Sequence, residues 1–177
     1  LDGASTKPET VQCLKELEKL DDRLRVVFSG ENLHISGNSN AALRHAKGEW
    51  IALCDHDDLY TPDALYWVMD AVERENPEDG KVFFEAHFKP DYCPDNLRSG
   101  NYICHLMVMR RSLIDAAGGF RSAFDGSQDH DLALRCMEHT TRVTHIPRVL
   151  YHWRHVGASM SHQNLMRCVD AARRAVE

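Results

Sequence analysis

Two short acidic clusters carry the residue types that could do chemistry in this chain. The first closes the stretch Glu49-Trp50-Ile51-Ala52-Leu53-Cys54-Asp55-His56-Asp57-Asp58, in which an apolar run gives way abruptly to carboxylates. Residues two apart on an extended chain point the same way, so Asp55 and Asp57 can share a crevice while His56 points elsewhere. Two carboxylates on one side repel unless a positive charge sits between them. A hard divalent cation such as Mg²⁺ or Mn²⁺, which takes one or two carboxylates and completes its shell with water and substrate phosphates, meets that need. A solvated loop that caps the following helix explains an isolated Asp-x-Asp equally well. The second cluster, Asp125-Gly126-Ser127-Gln128-Asp129-His130-Asp131, opens a helix. An acid there is explained by the positive end of the helix dipole alone.

The elements around these clusters indicate how they are placed. Trp50 to Cys54, bounded by Gly48 and by charge, reads as a buried strand with its acidic tip at a sheet edge. Earlier, Val11, Leu14, Leu17 and Leu20 mark an amphipathic helix over Glu9 to Leu20. Arg25 to Phe28 reads as a strand, and Asn38 to Ala46 as an Ala-rich helix stopping before Gly48. Thr61-Pro62-Asp63 is a strong helix start, followed by the stripe Leu65, Val68, Met69 and Val72. Lys81 to His87 and Ile103 to Met109 are expected strands. Ser112 is the expected cap of a short helix that stops at Gly118-Gly119. Thr141 to Ile146 and Val149 to Trp153 read as strands parted by Pro147. Ser161 to Glu177 closes the chain as a helix with the stripe Leu165, Cys168, Val169 and Ala172. Alternating strands and helices imply an α/β domain with a mostly parallel sheet flanked by helices, whose ligands gather where strands end.

Composition bounds the partners. The 177 residues fit one domain, and 43% apolar with 27% charged residues is ordinary for a water-soluble fold. No run approaches the apolar length of a membrane span. A net charge of -6 argues against a nucleic-acid backbone as main partner. Six cysteines stand singly, with no Cys-x-x-Cys pair for zinc, a pattern that suits a reducing cytoplasm.

Taken in order, the motifs resemble those of the family-two glycosyltransferases, inverting enzymes of the GT-A fold that use nucleotide-sugar donors. The matching stretches are Asp2 to Thr6, Asn32 to Leu43, Gly48 to Leu65, Phe88 to His105, Gly118 to Arg135 and Tyr151 to Ser161. Phe88-Lys89-Pro90-Asp91, Asp125 to Asp129 and Tyr151-His152-Trp153-Arg154 are similar to the bacterial branch that builds O-antigen and related cell-surface polysaccharides. The resemblance implies a single catalytic domain over 1–177, with a nucleotide-binding part at 1–75, an acceptor and catalytic part at 88–160 and a C-terminal helix at 161–177.

The resemblance also assigns roles. Asp57 and His152 are the implied metal ligands, for Mn²⁺ or Mg²⁺. Asp2, Asp55 and Arg154 are implied in holding the nucleotide and diphosphate, Trp153 in receiving the acceptor sugar, and Asp129 as the general base. His155 is a weaker alternative ligand. The implied donor is a UDP- or dTDP-sugar, and the acceptor a saccharide or lipid-linked saccharide. The implied location is cytoplasmic, compatible with peripheral association at the inner face of the plasma membrane. Each residue also has a plain structural reading: capping for Asp129, packing for His152 and Trp153, a surface ion pair for Arg154.

The chain departs from the family in two places. A hydrophobic strand and helix ordinarily precede the position of Asp2, and a further strand and acidic loop ordinarily separate Asn76-Pro77 from Phe88. The expectation is therefore a GT-A domain incomplete at its N-terminus. Two other functions compete. One is a degenerate GT-A-like binding module. The other is a phosphotransferase of the haloacid-dehalogenase type, which also sets Asp-x-Asp after an apolar strand but wants Thr or Val where Leu59 stands.

Overall fold

A computed structural model describes residues 1–74, 89–153 and 164–177, together with the backbone of 82–84. The chain divides into two units, Leu1–Ala46 and Lys47–Glu177. The first holds helices α1 (Pro8–Glu18) and α2 (His34–His45). Pro8 begins α1 where a missing N–H costs nothing. None of its residues is buried, so Val11, Leu14 and Leu17 form no closed core in this unit. The expected strand at Arg25–Phe28 is reduced to one parallel bridge between Asp2 and Phe28.

The second unit is built on a four-stranded sheet in the order β1-β4-β3-β5: β1 (Trp50–Leu53), β3 (Val82–Phe84), β4 (Met107–Arg110) and β5 (Val143–His145). A separate ribbon pairs β2 (Leu59–Tyr60) with β6 (Tyr151–His152). The expected α/β architecture is present, but the strand directions are mixed. β1 and β3 both run antiparallel to β4, and β3 runs parallel to β5. A short apolar run reads the same in either direction, so periodicity could not supply this.

Strand β4 lies between two partners, and Met107, Val108 and Met109 are all buried. Alternation sends Val108 to one face, where it joins Ala64, Val68 and Val72 of α3 (Ala64–Arg74) with Leu106, Ile146 and Leu150. Burying Val68 and Val72 contributes about 1.5–3 kcal/mol each. Leu65 and Met69, expected in that stripe, are instead exposed; the face that packs runs through Ala64, Val68 and Val72. Helix α4 (Pro94–Ser99) precedes β4 in the chain, and helix α5 (Arg111–Ala116) packs on β4 and on α6 (Gln128–Met137). Ser112 does not cap α5, because the helix follows β4 directly: the Arg111 N–H donates to the Glu49 carbonyl at 2.7 Å, and Arg110 is the boundary residue. Gly118 and Gly119 end it with positive φ, as a left-handed stop requires.

The last helix, α7 (Leu165–Val176), turns inward only the small members of the expected stripe, Cys168 and Ala172, both half-buried. Leu165 and Val169 are exposed, whereas Ala171 is buried. Cys168 meets Gly126, whose φ of +106° is accompanied by so close an approach that a Cβ there would lie 3.0 Å from the Cys168 sulfur. Small side chains permit that contact, and bulkier Leu165 and Val169 do not. Among the described residues, no helix is long and apolar enough to cross a membrane.

Candidate active site

The acidic tip follows β1 in a tight turn, closed by the Asp58 N–H donating to the Asp55 carbonyl at 3.3 Å. Ribbon β2/β6 then brings Tyr151 beneath it from far along the chain. The Tyr151 hydroxyl donates to Asp58 Oδ2 at 2.5 Å and accepts the Asp55 N–H at 3.3 Å. One phenol thereby fixes both ends of the turn. Burial, and then the bond to Asp58, push the Tyr151 hydroxyl well above its ordinary range, so it acts as a proton donor. The ring of His105 stacks on Tyr151 with centroids 5.1 Å apart and planes 7° from parallel. That stacking points His105 Nδ1 at Asp55 Oδ2, 3.8 Å away.

Ligand atoms of Asp55, Asp58 and His105 all lie within 4.8 Å of one another, close enough for one cation to bridge. Burial pushes the Asp55 carboxyl up; His105 opposes this, while the carboxylates of Asp58, Asp129 and Asp57 add to it. Since the Asp55 side chain is 60% exposed, water screens much of that burden. Excess negative charge at this turn is nonetheless a property that a divalent cation would relieve.

The second acidic cluster starts α6. Its three consecutive residues have separate fates. The carboxylate of Asp131 is wholly buried and ion-paired with Arg121 and Arg135, and Arg135 also donates to the carbonyls of Ala117 and Gly119. His130 is buried, its Nε2 within 2.7 Å of the Leu97 carbonyl. Asp129 is the half-buried member, and Asn101 Nδ2 donates to its Oδ2 at 2.8 Å. Asn101 Oδ1 in turn accepts the Cys104 N–H at 3.2 Å. Cys104 lies where the two clusters meet: burial drives its thiol up to about 11, reinforced by Asp129, Asp55 and Asp58 and opposed by Lys89. At neutral pH that thiol is protonated and a poor nucleophile.

Not every residue implied by sequence joins this assembly. Asp55 does, and Asp129 is close enough to add to the charge on Asp55. Asp57 contributes to the same crowding but is not part of the three-residue convergent group. His152 is exposed and sits opposite Leu59 in the ribbon. It too is not in the convergent group. Alternation along the strand turns Tyr151 and Trp153 to the side His152 does not face. Trp153 is 55% exposed, with its ring 6.5 Å from that of His105. Arg154 and His155 lie outside the described residues. Asp2 belongs to the other unit, where Ser5 donates to it from both hydroxyl and backbone N–H and holds its carboxyl below the usual range. Sequence reading passed over Asp58, His105, Tyr151, Asn101 and Lys89. Asp58 left a signal as a third carboxylate, Lys89 and Tyr151 stood in quoted motifs without a role, and Asn101 and His105 lay within the matching stretch Phe88 to His105.

Comparison with known proteins places these features. Residues 1–92 match the sequence model described as Glycosyl transferase family 2. The chain is 39% identical over 193 aligned residues to an uncharacterized protein, y4gI, of Sinorhizobium fredii (strain NBRC 101917 / NGR234), covering 99% of this chain and 21% of that protein. It is 33% identical over 171 residues to the O-antigen biosynthesis protein RfbC of Myxococcus xanthus, covering 90% of this chain and 13% of that one. The chain thus spans about a fifth or less of the length of these relatives. In fold it is similar to S. aureus TarS 1–349 in complex with UDP-GlcNAc, with a TM-score of 0.72, 15% identity, and coverage of 90% of this chain and 50% of that one. The mannosyltransferase PcManGT of Pyrobaculum calidifontis, in complex with GDP-Man and Mn²⁺, gives a TM-score of 0.61 at 22% identity, covering 82% and 44%.

Proposed function

The chain belongs to glycosyl transferase family 2, and from that premise we propose that its second unit moves a sugar from a nucleoside-diphosphate donor to a saccharide hydroxyl, with inversion. The observation that carries this reading is the meeting of the two acidic clusters around segment 101–105. On one side, Asp55, Asp58 and His105 offer two hard oxygens and an imidazole to one cation. That donor set suits Mn²⁺ better than Mg²⁺. When bound, the cation would supply neutralising charge for the diphosphate leaving group. Asp57 and His152, implied by family resemblance, are the alternative ligands, and variants of each distinguish the two sets.

Asp129 is the general base. Asn101 occupies one of its oxygens, leaving the other to accept the proton of the acceptor hydroxyl. That oxygen can then attack the anomeric carbon from the face opposite the leaving diphosphate, which inverts the centre. Trp153 offers an exposed flat face for the acceptor ring. Asp2 and Arg154 are proposed for the nucleotide and diphosphate on resemblance alone. The TarS and PcManGT structures contain UDP-GlcNAc, and GDP-Man with Mn²⁺, respectively, which supports a nucleotide-sugar as donor class. The similarity to RfbC supports a role in polysaccharide synthesis; a cytoplasmic location and a lipid-linked acceptor are proposed on resemblance alone.

The test is incubation with UDP- and dTDP-sugars, Mn²⁺ and oligosaccharide acceptors, following nucleotide release and the anomeric configuration of product by proton NMR. Metal-dependent release with an inverted product is expected. Nucleotide binding without any turnover would instead identify a degenerate binding module, and no nucleotide binding would overturn the reading.

A further inference from the structure

Segment 101–105 reaches both halves of the site. Asn101, at one end, holds the Asp129 carboxylate, and His105, at the other, faces Asp55. Its backbone is gripped by a side chain from outside the segment. Lys89 is only 7% exposed, and its ammonium donates to the carbonyls of Ile103, at 2.5 Å, and His105, at 2.9 Å. Between them the Cys104 N–H is taken by Asn101 Oδ1. The segment is therefore held through two of its carbonyls by Lys89 and through the Cys104 N–H by Asn101.

A buried ammonium is costly unless compensated. The Ile103 and His105 carbonyls, both accepting from Lys89 Nζ, supply that compensation directly. We propose that Lys89 is a positioning residue that sets the spacing between His105, on the cation side, and Asn101, which aims the base, by holding the Ile103 and His105 carbonyls. This rests on reading Asp55, Asp58 and His105 as the cation side and Asp129 as the base of one transferase site. A methionine at 89 would keep the volume and remove both donors. Its two carbonyl partners would then be buried without them, and the segment would relax at both ends together.

NMR on the whole chain tests this with Lys89→Met. The expected result is a tenfold or greater acceleration of Cys104 amide exchange, and movement of the His105 ring protons away from their position over Tyr151. Amides of Leu132 and Ala133, inside α6, should keep their protection. Mn²⁺ affinity should fall tenfold or more, and Lys89→Met placed on His105→Ala should cost less than a further twofold, because both changes disable the same ligand. Unchanged Cys104 exchange and His105 shifts would overturn the proposal, as would effects of the two substitutions that multiply. Loss of protection throughout α6 would also overturn it, in favour of a general packing role. If the parent chain binds no Mn²⁺, the transferase reading fails on its own account, and the exchange and ring-shift results still decide the part played by Lys89.

Discussion

The tripeptide Asp-His-Asp occurs at 55–57 and again at 129–131, and the two copies have opposite fates. After β1, the chain is in a turn: His56 is exposed, and the carboxylates crowd one another beside Tyr151 and His105. In α6, helical spacing sends His130 and Asp131 into the interior, where Leu97 and two arginines satisfy them, and leaves only Asp129 toward the site. The same three residues thus form a crowded acidic turn in one setting and an internally balanced anchor in the other. Backbone geometry decides which acids remain available for chemistry.

Substitutions within the two copies can break this contrast. Asp129→Asn should lower transfer by about 10²–10⁴-fold, the usual range for a general base, while leaving donor binding and melting temperature unchanged; a parallel loss of stability would make Asp129 a cap and not a base. Asp131→Asn should cost about 3 kcal/mol in urea denaturation, because it strands half-buried Arg135 and half-exposed Arg121. Asp57→Asn, its counterpart in the turn, should leave stability within about 0.5 kcal/mol. Equal costs at 57 and 131 would abolish the distinction. A smaller effect, about 1–2 kcal/mol, is expected for His130→Ala, which removes the bond to Leu97, and none for exposed His56→Ala.

The smallest effect is on pH dependence. The folded Asp55 carboxyl titrates above its unfolded value, because of burial and then its neighbouring carboxylates. The folded state therefore binds more protons, and the metal-free chain gains stability as pH falls toward the ordinary carboxylate range and loses it as pH rises through the folded value. Cation binding should show the reverse, weakening on acidification at a higher pH than a free aspartate would give. Asp58→Asn, by removing one like charge, should move both transitions to lower pH. Thermal melts and Mn²⁺ titrations over pH 4–7 would follow them.

Much of the fold was legible because it depends on local signals. The apolar run before Asp55, the Thr61-Pro62-Asp63 start and the Gly118-Gly119 stop each act within a few residues. The Asp-x-Asp spacing singled out Asp55 and family resemblance singled out Asp129, and the match to glycosyl transferase family 2 sets aside the phosphotransferase alternative. Strand direction in the sheet was not legible, since it is set by a distant partner, β4. His105 closed a matching stretch, but nothing in the sequence gave it a role. Its position comes from stacking on Tyr151, forty-six residues later in sequence, and from carbonyls held by Lys89. Asn101 is illegible for the same reason, because its partner Asp129 lies on another element.

The central claim is that the first acidic turn grips a cation under the donor diphosphate, and titration of Mn²⁺ by electron paramagnetic resonance, with and without UDP, tests it most directly. Asp58→Asn and Asp55→Asn should each weaken Mn²⁺ binding at least tenfold, UDP should tighten it in the parent, and Asp131→Asn should leave the affinity of the folded fraction unchanged. Equal Mn²⁺ affinity in the parent and in both turn variants would contradict the account.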